Sequence, residues 1–145
     1  MTPQQLLDVA GNLLIRPSPS MRRCWHRGCA CLTRIALEEG LRSYWSRVAP
    51  SVASSPMRHQ LLALPAFAGD EPARTARTAW YGLSRAMHHH TYELAPTAAE
   101  LHGWHQDVAS LLPRLDPAWS AANKAATTER DDHPPSTPPV TWGIS

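Results

Sequence analysis

Leu6, Leu7, Ala10, Leu13 and Leu14 recur at the three- and four-residue intervals that place side chains on one face of a helix. Thr2 and Gln5 precede them at capping-box spacing, and Pro3 suits the first helical position. Arg16-Pro17-Ser18-Pro19 ends the run, because proline disfavours helical backbone in the residue before it. A second helix is predicted from about Leu32 to Val48, with Leu37, Leu41, Tyr44, Trp45 and Val48 inward. Arg34, Glu38 and Arg42 pair weakly along its outer face. Pro50 closes it. After a Ser55-Pro56 cap, a short third helix carries Met57, Leu61 and Leu64 inward and stops near Pro65.

The fourth predicted helix starts at Glu71-Pro72, and its core stripe is Ala76, Trp80, Leu83, Met87, His90 or Thr91, and Leu94. Its opposite stripe carries Arg74, Arg77, Tyr81, Arg85, His88, His89 and Tyr92, where an ordinary solvated face holds Glu, Lys, Gln and Ala. Thr97-Ala-Ala-Glu100 is a capping box for a fifth helix, with Leu101, Trp104, Val108, Leu111 and Leu112 inward and Pro113 as its stop. The link at Ala95-Pro96 is so short that the two helices are near neighbours. Packed antiparallel, they bring His90 level with His102 and Met87 level with His105, and Glu93 and Glu100 flank the corner. Beyond Trp119 the chain turns to Ala, Thr, Ser, Pro and charge. The expected fold is therefore all-α: a compact bundle of about five helices over 1–119, with a C-terminal helical hairpin. An extended Pro-rich tail spans 120–145, and its Val140–Ile144 end is apolar enough to dock on the core or on a partner.

Composition narrows the class. No apolar run approaches the roughly 18 residues of a membrane span, and Asp8 interrupts the apolar start of a chain that lacks a basic leader. A non-membrane, cytoplasmic protein is expected. The net charge of +2 is unevenly spread: residues 1–60 hold eight Arg against Asp8, Glu38 and Glu39. A basic first half can meet RNA or an acidic partner. Thirteen of the fourteen basic residues are Arg, a bias that high-GC bacterial coding produces, so each Arg by itself says little about phosphate recognition.

Cys24, His26, Cys29 and Cys31 are candidate soft-metal ligands, but two of their gaps hold a single residue where zinc sites leave two or more. Small buried thiols at a helix start are the expected reading. No phosphate-binding glycine loop, zinc-protease pair or nucleophile elbow occurs, and no cofactor is expected.

The string Arg85-Ala-Met-His-His-His90-Thr-Tyr92 resembles the Arg-x4-His-x-Tyr signature of HEPN toxins, small all-α proteins paired with nucleotidyltransferase antitoxins. The resemblance covers eight residues and their helical setting. It implies a homodimer in which two copies of the motif meet and cleave RNA without metal. His90 then handles the proton of the ribose 2′-hydroxyl, Arg85 stabilises charge on the phosphate, and Tyr92 receives a nucleotide from the antitoxin. Ala86 departs from the family, which usually has a polar residue after the Arg. In a regular helix His89 also shares the face of Arg85 and Tyr92 more closely than His90 does, so His89 stands beside His90 as the imidazole.

Three other readings stand beside this one. His90 and His102 can be buried polar residues bonded to Glu93 and Glu100, with the Arg, Tyr and His stripe as the interface of a non-enzymatic interaction subunit. His90, with His102 or His105 and a carboxylate, can hold a transition metal in a bundle. Arg74, Arg77 and Arg85 can contact phosphates while Tyr81 stacks on a base, with no catalysis.

Overall fold

The computed structural model describes residues 1–88 and 94–116, and among them all regular structure is helical. Helix α1 spans Pro3–Ile15, and a single 3₁₀ turn at Pro19–Met21 leads into α2, Trp25–Val48. The one-turn α3, Pro50–Ala53, is followed by α4, Met57–Ala68, α5, Asp70–Met87, and α6, Ala98–Leu115. An all-α bundle is what the patterning predicts, with α3 as an added turn. The tail at 120–145 lies outside the described residues, as do His89, His90, Thr91, Tyr92 and Glu93.

Both predicted capping boxes are present. Thr2 Oγ1 accepts from the Gln5 amide at 3.2 Å while Gln5 Oε1 accepts from the Thr2 amide at 2.8 Å. Thr97 and Glu100 do the same for α6, at 3.1 and 2.8 Å. Gly69 joins α4 to α5 at φ +93°, a backbone state open to glycine and strained for other residues. Asp70 and Glu71 in the first turn of α5 complement its dipole.

Helix α2 is the hub. It packs against α1, α3, α5 and α6, and it buries Cys29, Ala30, Thr33, Ala36, Leu37, Leu41, Tyr44 and Trp45. It starts seven residues before the predicted Leu32. The Gly28 amide donates to the Cys24 carbonyl at 3.0 Å, and Cys29 and Ala30 sit fully in the core, so packing stabilises a turn that periodicity leaves open. Val48, predicted inward, is 44% exposed in the last turn of α2. Two helices run past the prolines expected to stop them. Pro65 and Pro113 fall in last turns, where each forgoes one hydrogen bond to the carbonyl four residues earlier but leaves little helix beyond it to disturb. Buried Leu115, whose carbonyl accepts from the Arg47 guanidinium, anchors the end of α6. The expected Ser55 cap is replaced by Pro56, and the buried Gln60 amide closes that turn by donating to the Ser55 and Ala53 carbonyls at 2.8 and 3.2 Å.

Cross-contacts fix the helix directions. Glu38 meets Trp80 and Arg34 meets Met87, so α2 and α5 are antiparallel. Gly82 faces Trp104 and Glu71 pairs with Arg114 at 3.2 Å, so α5 and α6 are antiparallel, as the short link predicts. Gly40 faces Leu112 and Arg47 meets Leu115, so α6 runs parallel to α2. The C-terminal end of α5 and the N-terminal ends of α2 and α6 therefore lie at one end of the bundle.

Candidate functional site

The pattern that makes α5 amphipathic also builds one wall of a groove. Ala76, Ala79, Leu83 and Ala86 are buried against the core, and Arg74, Arg77, Tyr81, Arg85 and His88 are exposed on the opposite stripe. Where α5 ends, an open groove of about 480 Å³ lies between it and the start of α6. Gly82, Arg85 and Ala86 line it from α5, Leu94 to Thr97 from the connection, and Glu100 and Trp104 from α6.

Trp104 was expected only as a core residue, and it is half-buried with its indole laid on Gly82. A Cβ on Gly82 would overlap that ring, so glycine is what lets α6 approach and the indole lie flat against α5. A glycine within a strongly amphipathic helix costs about 1 kcal/mol against alanine, a sequence signal that patterning of apolar positions alone passes over. Ala86 is 4% exposed, so an amide side chain at this position would need a buried partner.

A polar seam holds the end of α5 on α2. Glu38 Oε1 accepts from Arg34 Nε at 2.8 Å and from Trp80 Nε1 at 3.0 Å. The Arg34 guanidinium lies 5.1 Å from the Trp80 ring centre, and its Nη1 donates to Met87 Sδ at 3.8 Å. Arg34 and Glu38, read from spacing as an exposed pair, are thus an inter-helix clamp with side chains 23% and 16% exposed. Only Arg42, at 47%, keeps the outer position expected of all three.

The second-helix residues separate. The Glu100 carboxylate lines the groove while one oxygen serves the α6 cap. His102 is exposed and accepts from the Gln106 amide at 3.1 Å. His105 turns away from the corner, and its Nε2 donates to the Leu7 carbonyl of α1 at 2.8 Å. Leu94, expected on the core stripe, is 98% exposed because α5 stops at Met87 with His88 as its C-cap. His89, His90, Tyr92 and Glu93 fall outside the described residues. Among the described residues no three His, Cys, Asp or Glu side chains are grouped to hold a metal ion. Cys29 is buried, with burial pushing its thiol up and the Thr33 hydroxyl partly opposing, while Cys24 at the helix cap is exposed. At the far end of α5 the Arg114 guanidinium, by hydrogen bond and charge, holds the Glu71 carboxyl below its ordinary value, and Arg74 adds to this.

No protein-family model matches the chain, and neither does any curated protein or solved structure. No helix among the described residues is long and apolar enough to cross a membrane.

Proposed function

We propose that this chain is an HEPN-like, metal-independent RNA endonuclease that works at the α5–α6 groove, in a toxin–antitoxin setting and as a homodimer. The observation that carries this reading is the position of Arg85. It is exposed, it lines the groove, and the His88–His90 run begins three residues after it in sequence. One imidazole of that run, His90 or His89, takes the proton from a ribose 2′-hydroxyl. The freed oxygen bonds to phosphorus, the bond from phosphorus to the 5′-oxygen breaks, and that oxygen leaves with a proton from a second imidazole. The planar guanidinium of Arg85 stabilises charge on the non-bridging oxygens. The products are a 2′,3′-cyclic phosphate and a 5′-hydroxyl. Arg74, Arg77 and Tyr81 extend the face along which the strand lies, and Tyr92 is the residue an antitoxin would modify.

The expected result is RNA cleavage that persists in chelator and falls about 10²- to 10³-fold in Arg85→Ala, with a comparable loss in His90→Ala or His89→Ala. Cleavage unchanged in all three variants overturns the assignment. A second reading has its own support: Leu94, 98% exposed beside Arg85 at the groove, is a contact a protein partner would bury. Stable capture of a defined co-purifying subunit, lost in Leu94→Asp, with no cleavage of RNA, favours a non-enzymatic interaction subunit.

A further inference from the structure

Residues 9–37 contain five Arg and no acidic residue. Arg34 belongs to the clamp on Trp80, and the other four, Arg16, Arg22, Arg23 and Arg27, are exposed. None of these four forms an ion pair among the described residues, whereas Arg34, Arg42 and Arg114 do. Guanidinium groups this closely spaced along the chain repel one another, and no carboxylate within their own segment relieves it.

Helix direction gives these groups a place. Arg34 meets Met87 in the last turn of α5. At 1.5 Å per residue, Arg27 lies about 10 Å further along the axis, beyond the end of α5. The first turn of α2 therefore overhangs the end of the bundle where the groove opens. Leu7 and Gly11 of α1 meet His105 of α6, and α1 enters α2 through the short segment 16–24. Arg16, Arg22 and Arg23 are thereby carried to the same end.

We propose that this Arg-rich turn between α1 and α2 is a second phosphate-binding surface, which holds the backbone of a single-stranded RNA whose neighbouring nucleotides occupy the groove at Arg85. The inference rests on the nuclease reading for the identity of the polyanion. It adds that binding extends across the end of the bundle from α5 to the α1–α2 turn. Four cations with no carboxylate among them suit a chain of phosphates better than a single anion. A concave groove beside them suits a flexible strand better than a planar lipid surface or a rigid duplex.

The test is fluorescence anisotropy on a labelled single-stranded RNA of about 15 nucleotides. Its riboses are 2′-O-methylated, so that binding is read without the attacking hydroxyl. Each single-strand phosphate contact contributes about 0.7 to the slope of log affinity against log salt. The Arg16→Ser, Arg22→Ser, Arg23→Ser, Arg27→Ser quadruple variant is expected to lower that slope by up to about 3, and Arg85→Ala by up to about 1. The corresponding quadruple Lys variant keeps the slope, and circular dichroism of each variant checks the fold. An oligonucleotide of about 4 nucleotides, too short to span both surfaces, is expected to show less difference between native and quadruple Ser protein. RNA binding by the native protein with an unchanged slope in the Ser variant overturns the second surface and leaves the nuclease reading standing. Absence of RNA binding by the native protein overturns both. Binding to vesicles containing phosphatidylserine in place of RNA reassigns the surface to lipid and overturns the proposal.

Discussion

The indole of Trp104 occupies the space that a side chain on Gly82 would need. This one contact brings α5 and α6 together behind the groove, and it makes a small residue essential where helix propensity alone favours alanine.

Gly82→Ala is therefore expected to destabilise the fold. Alanine gains about 1 kcal/mol of helix propensity, while forcing the indole outward costs about 1–3 kcal/mol. The net loss should show in urea unfolding. Combining it with Trp104→Ala removes the clash, so the glycine substitution becomes neutral or stabilising in that background. An equal penalty in both backgrounds would show that the indole is not what the glycine accommodates.

Glu38 accepts from both Arg34 and Trp80 across the α2–α5 seam. Glu38→Ala leaves two donors without their acceptor, at a cost of about 1–3 kcal/mol. The loss should exceed that of Glu39→Ala, whose carboxylate is half exposed and, among the described residues, paired to Arg42. Thermal unfolding of the two variants side by side checks the order. Amide exchange should quicken at Leu83 to Met87 in the Glu38 variant alone.

Cys29 is buried and its thiol is raised above its ordinary value by desolvation. In the native protein it should react slowly with iodoacetamide, and exposed Cys24 quickly. A raised thiol value means that the folded state holds its proton more tightly than the unfolded chain does. The corresponding stability is fully present below the unfolded thiol value and is lost as pH rises through the folded one. Cys29→Ala should flatten that alkaline decline, measured by denaturant midpoint against pH.

The Glu71 carboxyl is lowered chiefly by Arg114. Its contribution is present above the unfolded carboxylate value and is lost as pH falls through the folded one. The site is exposed, so salt should screen it. In Arg114→Ala the Glu71 midpoint, followed by NMR titration, should move up toward the ordinary carboxylate range. High salt should move the native midpoint the same way.

His105 shows how far spacing carries and where it stops. Its place on α6 follows from periodicity, but its partner is a carbonyl in α1, 98 residues away along the chain. Arg34 and Glu38 repeat the lesson: their four-residue interval predicts the ion pair correctly, yet the indole that shares it comes from another helix. Leu94 errs in the other direction. Its interval continues the α5 stripe, but the helix ends first and leaves it in solvent.

What the amino-acid order settles unaided is local. Helix-period patterning, two capping boxes and the prolines and glycine between runs place α1, α4, α6 and the start of α5 to within a few residues, because those signals act over a few successive residues. It also marks the basic, aromatic face of α5 as solvent-facing. The central role of α2, the groove formed by Trp104 on Gly82, and the gathering of Arg16 to Arg27 at the end that holds Arg85 were decided only by tertiary packing. Each depends on which helices meet, and contact between distant segments is set by how apolar faces and side-chain volumes fit together, not by spacing within any one of them.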